Sequence, residues 1–157
     1  VNPVALPYFN FSYPEPTGVV SAVAPNDSSL IGLISIVAPI IAGGNTVVVL
    51  ASEENPLCSI TFAEVLHTSD VPGGVVNILT GHRSELLEQF SSHMDVNAIV
   101  YCGTEPEEIK LVQENAALNV KRPIVYSDEN WLDKNTQDPY RILNTLETKT
   151  TWHPVGV

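Results

Sequence analysis

The chain has 157 residues, of which 44% are hydrophobic, and this suffices for one domain with a buried core. Acidic residues outnumber basic residues 18 to 7, so the formal net charge is -11. Such a surface argues against nucleic acid as a partner, because phosphate binding depends on clustered Lys and Arg.

Segments that favour strands and helices alternate along the first half of the chain. The β-branched run at residues 18–25 predicts a strand, and the uncharged stretch 30–42 predicts a helix. The sequence NTVVVLA, residues 45–51, predicts a second strand. Asn55 as N-cap and Pro56 in the first turn predict a helix to about residue 69, since proline is preorganised for that position.

The same alternation continues in the second half. Thr104 with Glu107 three residues later resembles a capping box that opens a helix through residue 117. The turn sequence VPGG leads into an apolar run, which favours another strand. The remaining predicted elements are a strand at 75–81, a helix at 85–92, a strand at 96–103 and a fifth strand at 121–126.

Near-continuous Val and Ile runs separated by helices predict parallel strands that are covered on both faces. The expected fold is therefore α/β, a doubly wound, mostly parallel Rossmann-type sheet with helices on both faces. Two terminal pieces fall outside this alternation and look extended. We divide the chain into an extended segment 1–17, an α/β domain 18–130, a loop 131–145 and an extended strand 146–157.

The absence of charge between residues 30 and 51 raises a transmembrane helix as an alternative. Pro39 and the break at 43–45 divide this run into two parts, each too short to span a hydrocarbon core of roughly 30 Å. A buried helix followed by a buried strand accounts for the same pattern. We therefore expect no membrane partner.

Five patterns, found in order, resemble the cofactor domain of the aldehyde dehydrogenase superfamily. They are GVVSAVAPND, APIIAGGNTVVVLASEENPL, VPGGVVNILTG, DVNAIVYCGT and NVKRPIVY, and they cover about residues 18–126. The sequence LETKTTW, which starts at Leu146, resembles the oligomerisation strand of that family, so the two terminal segments are expected to serve in oligomerisation. The resemblance implies oxidation of aldehydes with NAD(P), using a cysteine nucleophile, a glutamate base and an oxyanion-hole asparagine.

The resemblance assigns cofactor contacts to Glu53, Gly103 and Thr104, but the surrounding residues differ from the family. Glu53 matches a ribose-binding glutamate, while the lysine that should precede it by three residues is Leu50. Gly103 opens the family's Gly-Ser-Thr-Glu-x-Gly turn, whose last glycine is Glu108 here. The missing lysine no longer attracts an anionic cofactor, and the added carboxylate repels it. We expect these three residues to be vestigial and no cofactor to be held.

The catalytic positions of the family also differ. The oxyanion-hole asparagine matches Asp27, whose carboxylate would repel an oxyanion, and Asn26 could substitute only if the loop shifted by one residue. The general base matches Tyr126, a residue type with an unperturbed pKa of about 10. Cys58 and Cys102 match no nucleophile loop and share no zinc-ligand spacing, so both read as buried hydrophobic residues. We expect no catalytic and no metal-binding residue.

After Tyr126 only a loop and LETKTTW follow, so the catalytic domain is expected to lie outside this sequence. This arrangement resembles the degenerate C-terminal unit of family-sixteen aldehyde dehydrogenases, in which an active and a degenerate unit share one polypeptide. The preferred hypothesis is a noncatalytic domain that forms a homo-oligomer or assembles with a catalytic aldehyde dehydrogenase unit in the cytoplasm. A regulatory nucleotide-binding module and half of an aldehyde-oxidising enzyme are the alternatives.

Several polar and aromatic residues allow two interpretations. Glu105, Glu107 and Glu108 could bind a divalent cation, but acids in a first helical turn already gain from the macrodipole, which we favour. Trp131 and Trp152 could anchor an interface or pack loops, and we favour the interface for Trp152. The histidines share no ligand spacing and read as surface or helix-end residues: His67, His82, His93 and His153.

Overall fold

The computed structural model describes residues 1–155, which form two sheets, five α-helices and one short 3-10 helix, Lys134–Thr136. The strands are β1 (Tyr8–Pro16), β2 (Val19–Val23), β3 (Thr46–Leu50), β4 (Val76–Leu79), β5 (Ala98–Cys102), β6 (Arg122–Tyr126) and β7 (Leu146–Pro154). The helices are α1 (Ile31–Ala42), α2 (Leu57–His67), α3 (Arg83–Ser92), α4 (Pro106–Leu118) and the single turn α5 (Tyr140–Leu143).

The larger sheet is five-stranded, parallel and ordered β4-β3-β2-β5-β6. Along the chain, β2 is followed by its neighbour β3 and then by the edge strand β4. The next strand, β5, pairs with the other side of β2. β2 and β5 are therefore direct neighbours, with Val20 opposite Ala98 and Val23 opposite Tyr101. In such a sheet the crevice at the carboxyl ends of these two strands is the usual ligand site.

Both faces of this sheet are covered, because successive side chains of each strand point to opposite sides. Val20 and Ala22 pack with α1, whose Leu33 is fully buried. Val23 and Tyr101 pack on the opposite face with residues of α3 and α4. Each fully buried aliphatic side chain contributes roughly 1.5–3 kcal/mol. The predicted doubly wound α/β fold is confirmed.

The uncharged run that raised a membrane alternative is a helix and a strand separated by a tight turn. α1 ends before Gly43, and Gly44 takes a φ of +87° that L side chains rarely adopt. Asn45 is buried after this turn, where its Nδ2 donates to the Thr145 carbonyl at 3.0 Å. No helix within residues 1–155 combines the length and the apolar character that crossing a bilayer requires.

The predicted capping box of α4 is wrong, whereas the predicted start of α2 agrees with the structure to within one residue. α2 begins at Leu57, and Pro56 before it already has a helical φ of -70° and ψ of -20°, as expected for proline in a first turn. Glu105, not Thr104, precedes α4, since Pro106 occupies the first helical position there. Neither helix has a side-chain hydrogen bond at its N-cap.

The two extended terminal segments pair with each other as an antiparallel ribbon. β1 and β7 form a separate two-stranded sheet, with Tyr8 opposite Pro154 and Pro16 opposite Leu146. Arg122 of β6 connects the ribbon to the main sheet, because its Nη1 donates to the carbonyl of Leu146. Residues 156 and 157 of the predicted segment 146–157 lie outside the described residues.

Candidate functional site

A cavity of about 390 Å³ opens at the carboxyl ends of β2, β5 and β6. Its walls come from the segments that follow these three strands, together with Arg83 at the start of α3. The cavity thus lies at the point where the strand order reverses, which is the position expected for a ligand site in a doubly wound sheet. We call it the switch-point cavity.

Two of the three predicted cofactor residues line this cavity, and the third does not. Gly103 and Thr104 follow β5 and form part of the wall. The Glu53 carboxylate instead accepts a hydrogen bond from the backbone N–H of Arg83, and the Glu53 backbone N–H donates to Oδ1 of Asn26 at 3.1 Å. Glu53 therefore stabilises the start of α3 and the loop after β2, without a cationic side chain beside it.

Arg83 is the main site residue that sequence reasoning missed. Its side chain is 10% exposed, and Nη2 donates to the carbonyls of Ala24 at 2.6 Å and Cys102 at 3.1 Å. The guanidinium therefore joins the ends of two neighbouring strands across the switch point. One feature of the sequence could have pointed to Arg83: it is the first Lys or Arg of the chain, and the next is Lys110.

The guanidinium also belongs to a polar cluster beside the first turn of α4. Arg83 Nη1 lies 3.8 Å from Glu108 Oε2, and the hydroxyl of Tyr101 donates to the same carboxylate at 2.5 Å. Burial and this bond to Glu108 raise the pKa of Tyr101, which keeps the phenol protonated as a donor. A Cβ built on Gly103 would lie 2.6 Å from the Tyr101 hydroxyl, so the turn after β5 closely contacts this cluster.

The residues at the family's catalytic positions have other partners. Burial raises the pKa of Tyr126, and its hydroxyl accepts a hydrogen bond from Asn144 Nδ2 at 2.9 Å. Burial also raises the pKa of the Cys102 thiol to about 12, so it stays protonated at neutral pH. Cys58 lies half-buried in α2, and Asp27 is exposed. None of these residues is arranged as a nucleophile with its base.

The segment between β6 and β7 folds back over the sheet and closes one side of the cavity. Trp131 is 5% exposed and packs edge-on against Tyr126, with ring centroids 6.1 Å apart. The Arg141 guanidinium lies 4.5 Å from the Tyr126 ring and bonds to Glu129 at 2.9 Å. Trp131 therefore packs a loop onto the core, whereas Trp152 of β7 is 59% exposed.

The unpaired charges of the cavity wall are acidic. Asp27, Glu105 and Asp128 line the cavity, and no Lys or Arg within residues 1–155 lies within 4.0 Å of their carboxylates. In the same part of the chain, no three His, Cys, Asp or Glu side chains are grouped as a metal ion would require. Arg83 is the cation of the wall; its Nη2 donates to two carbonyls, and its Nη1 lies 3.8 Å from Glu108.

Comparison with known proteins places this geometry in a family. The model described as Aldehyde dehydrogenase family matches residues 2–126. Cytosolic aldehyde dehydrogenase 1 of Elephantulus edwardii is 36% identical over 121 residues, which are 76% of this chain and 24% of that protein. Aldehyde dehydrogenase 1A1 of Homo sapiens is 35% identical over 116 residues, covering 73% of this chain and 23% of that protein.

Solved structures give the same result. Aldehyde dehydrogenase C of Pseudomonas syringae, determined with NAD+ and octanal, superposes with a TM-score of 0.72 at 33% identity and covers 75% of this chain. PnpE of Pseudomonas sp. WBC-3 superposes with a TM-score of 0.74 at 29% identity over 79% of this chain. The chain spans about a quarter of the length of the relatives it matches. It belongs to the aldehyde dehydrogenase family and is homologous to the cofactor-domain portion of these enzymes.

Proposed function

We propose that this chain is a noncatalytic aldehyde dehydrogenase-like domain that acts in the assembly of an aldehyde dehydrogenase. The observation that carries this proposal is Arg83, whose Nη2 bridges the carbonyls of Ala24 and Cys102 at the switch point. The guanidinium also faces the Glu108 carboxylate at 3.8 Å, so its charge is partly neutralised and attracts a phosphate less strongly. The resemblance to the degenerate unit of family-sixteen enzymes and a cytoplasmic location belong to the same proposal.

The residues of the switch-point cavity do not fit a dinucleotide. A pyrophosphate requires free backbone N–H groups or cations at the start of a helix, whereas α4 begins with Pro106, which has no N–H. Asp27, Glu105 and Asp128 would repel its charge. Leu50, at the family's ribose-binding lysine position, is fully buried among apolar residues.

Titration with NAD, NADP and ATP is therefore expected to give no binding heat at ligand concentrations up to about 1 mM, the concentration scale that corresponds to about -4 kcal/mol. The physical reason is repulsion by the acidic wall, together with the partial neutralisation of Arg83 by Glu108. Isothermal calorimetry makes this measurement, with an NAD-binding aldehyde dehydrogenase titrated under the same conditions as the positive control. Micromolar binding, about -8 kcal/mol, would favour the regulatory nucleotide-binding module instead.

The β1–β7 ribbon is the surface that supports a role in assembly. Phe9, Phe11 and Tyr13 lie along one face of β1, with neighbouring ring centroids 5.6 and 5.5 Å apart. On the other face Trp152 packs edge-on against Tyr8 at 6.1 Å and remains 59% exposed. Aromatic side chains in an exposed row are characteristic of protein interfaces, because each buries a large area with little loss of conformational entropy.

Removing residues 146–157 is expected to shift the sedimentation of the assembled protein to a smaller species, because β1 then loses its strand partner and the exposed tryptophan. Trp152→Ala should weaken association in the same direction while leaving both strands in place. Leu118→Ala is the matched control, since Leu118 is 83% exposed and lies at the end of α4, which is not part of the ribbon. An unchanged number of subunits in analytical ultracentrifugation for both ribbon variants would rule out this surface.

A further inference from the structure

An apolar groove lies on the α3 and α4 face of the sheet and shares no lining residue with the switch-point cavity. The two helices on this face pack against β2, β5 and β6. The outer strands β3 and β4 are left less covered there, and Leu79 at the end of β4 is 41% exposed. On this face of the sheet, helices therefore leave part of β3 and β4 uncovered, although both faces of such a sheet are normally covered by helices.

The groove is a coherent apolar surface, not a scatter of single exposed side chains. Its volume is about 360 Å³, within the range of clefts that hold a ligand or the anchor side chains of a partner. Water in such a cleft has few polar groups to bond, so its replacement by apolar side chains is favourable. Its apolar lining residues are Val19, Val48, Leu79, Leu86, Phe90 and Val96.

The charges beside the groove are acidic. Asp95 is the acidic residue of the lining, His93 is its other titratable residue, and Glu85 is exposed next to the lining residue Leu86. Lys121 contacts His93, but this lysine is 6% exposed and its ammonium donates to the carbonyl of His93. A partner with positive charge beside its apolar residues would therefore be attracted, while a second copy of this chain, with a net charge of -11, would be repelled.

We propose that this groove binds one amphipathic helix of a partner protein, with a row of Leu or Phe in the groove and Lys or Arg beside Asp95. Binding a helix in an apolar groove uses anchors at i, i+3, i+4 and i+7, which match one face of the helix. The partner helix supplies the missing cover of β3 and β4. This surface is separate from the ribbon of the proposed function, so the two can be tested independently.

Two model peptides test the proposal directly. One is an amphipathic helix of Leu and Lys with Leu at the anchor spacing, and the other carries Glu in place of every Lys. Fluorescence anisotropy should show binding of the Lys peptide, at least tenfold weaker binding of the Glu peptide, and weakening of the former by added salt. Equal binding of both peptides, or binding of neither, would overturn the proposal.

Variants of the chain locate the binding site. Leu79→Gln keeps every charge of the protein, so nonspecific attraction of a cationic peptide should be unchanged, whereas binding in the groove should weaken at least tenfold. Leu118→Gln is the matched control and should bind as the unaltered protein does. Asp95→Asn should weaken the Lys peptide without weakening the Glu peptide. Circular dichroism confirms that each variant is folded.

Two outcomes assign the surface differently. If the Lys peptide binds Leu79→Gln and the unaltered protein equally, the site is elsewhere and the proposal is wrong. If the chain self-associates with rising concentration and Leu79→Gln alone abolishes this, the occupant is a second copy and not a cationic helix. In the self-association experiment, the variant without residues 146–157 serves for comparison. That deletion affects assembly through β1 and β7 without altering the groove.

Discussion

Replacing Arg83 by methionine is expected to lower the free energy of unfolding by about 2–4 kcal/mol. The substitution keeps most of the apolar stem but removes the donors to the buried carbonyls of Ala24 and Cys102. It also leaves Glu108, which is 29% exposed, without the guanidinium at 3.8 Å. Urea denaturation of both proteins measures the difference, and the slope of the transition should stay the same because the fold is unchanged.

Lys110→Met is the matched control for that experiment. Lys110 faces Glu114 at 4.0 Å on α4, and both side chains are 66% exposed, so solvent screens their attraction. Its replacement should change stability by less than about 0.5 kcal/mol. Equal stability losses in the two variants would mean that the Arg83 bridge contributes no more than a surface pair.

Leu50→Lys restores the residue type of the family's ribose-binding position, and it is expected to destabilise the chain by about 3–5 kcal/mol without creating dinucleotide binding. Leu50 is fully buried and packs with Val23, Leu87 and Tyr101. An ammonium placed there loses its hydration and gains no carboxylate partner. Thermal unfolding should show a fall in Tm of roughly 10 °C, by the usual relation for a domain of this size.

Leu50→Met is the control for side-chain shape at this position. It preserves volume and apolar character, so the loss should stay below about 1.5 kcal/mol. Calorimetry with NAD on the Leu50→Lys protein completes the comparison. A stable Leu50→Lys chain that binds NAD would contradict the expectation that this site holds no cofactor, because one substitution would then restore dinucleotide binding.

The fold could be predicted from the sequence because its signals are local and repeated. Buried parallel strands favour apolar and β-branched residues on both faces, and such residues predominate in β2, β3 and β5. The start of α4 was less predictable, because Pro106 takes the first helical position and shifts the N-cap from Thr104 to Glu105. The terminal strands were expected to be extended, but nothing in either segment specified that they pair with each other.

The candidate site was predictable only where a motif fixes the backbone. The glycine turn located Gly103 and Thr104 at the end of β5. The bridge made by Arg83 could not be foreseen, because its acceptors, Ala24 and Cys102, are distant in sequence and become neighbours only when β5 pairs with β2. The hydrogen bond that the Glu53 carboxylate accepts could not be foreseen for the same reason, since its donor is the backbone N–H of Arg83 in another element.

The antiparallel register of the ribbon places Tyr8 opposite Pro154, and the Val155 backbone N–H donates to the carbonyl of Pro7 at 2.6 Å. Residues 7 and 155 therefore leave the ribbon side by side at one tip. Groups attached at residues 7 and 155 would be tethered at the same point and held at a high effective concentration beside the aromatic strands. Fluorophores attached at these two residues would give efficient energy transfer within one molecule, which would be lost when the ribbon opens.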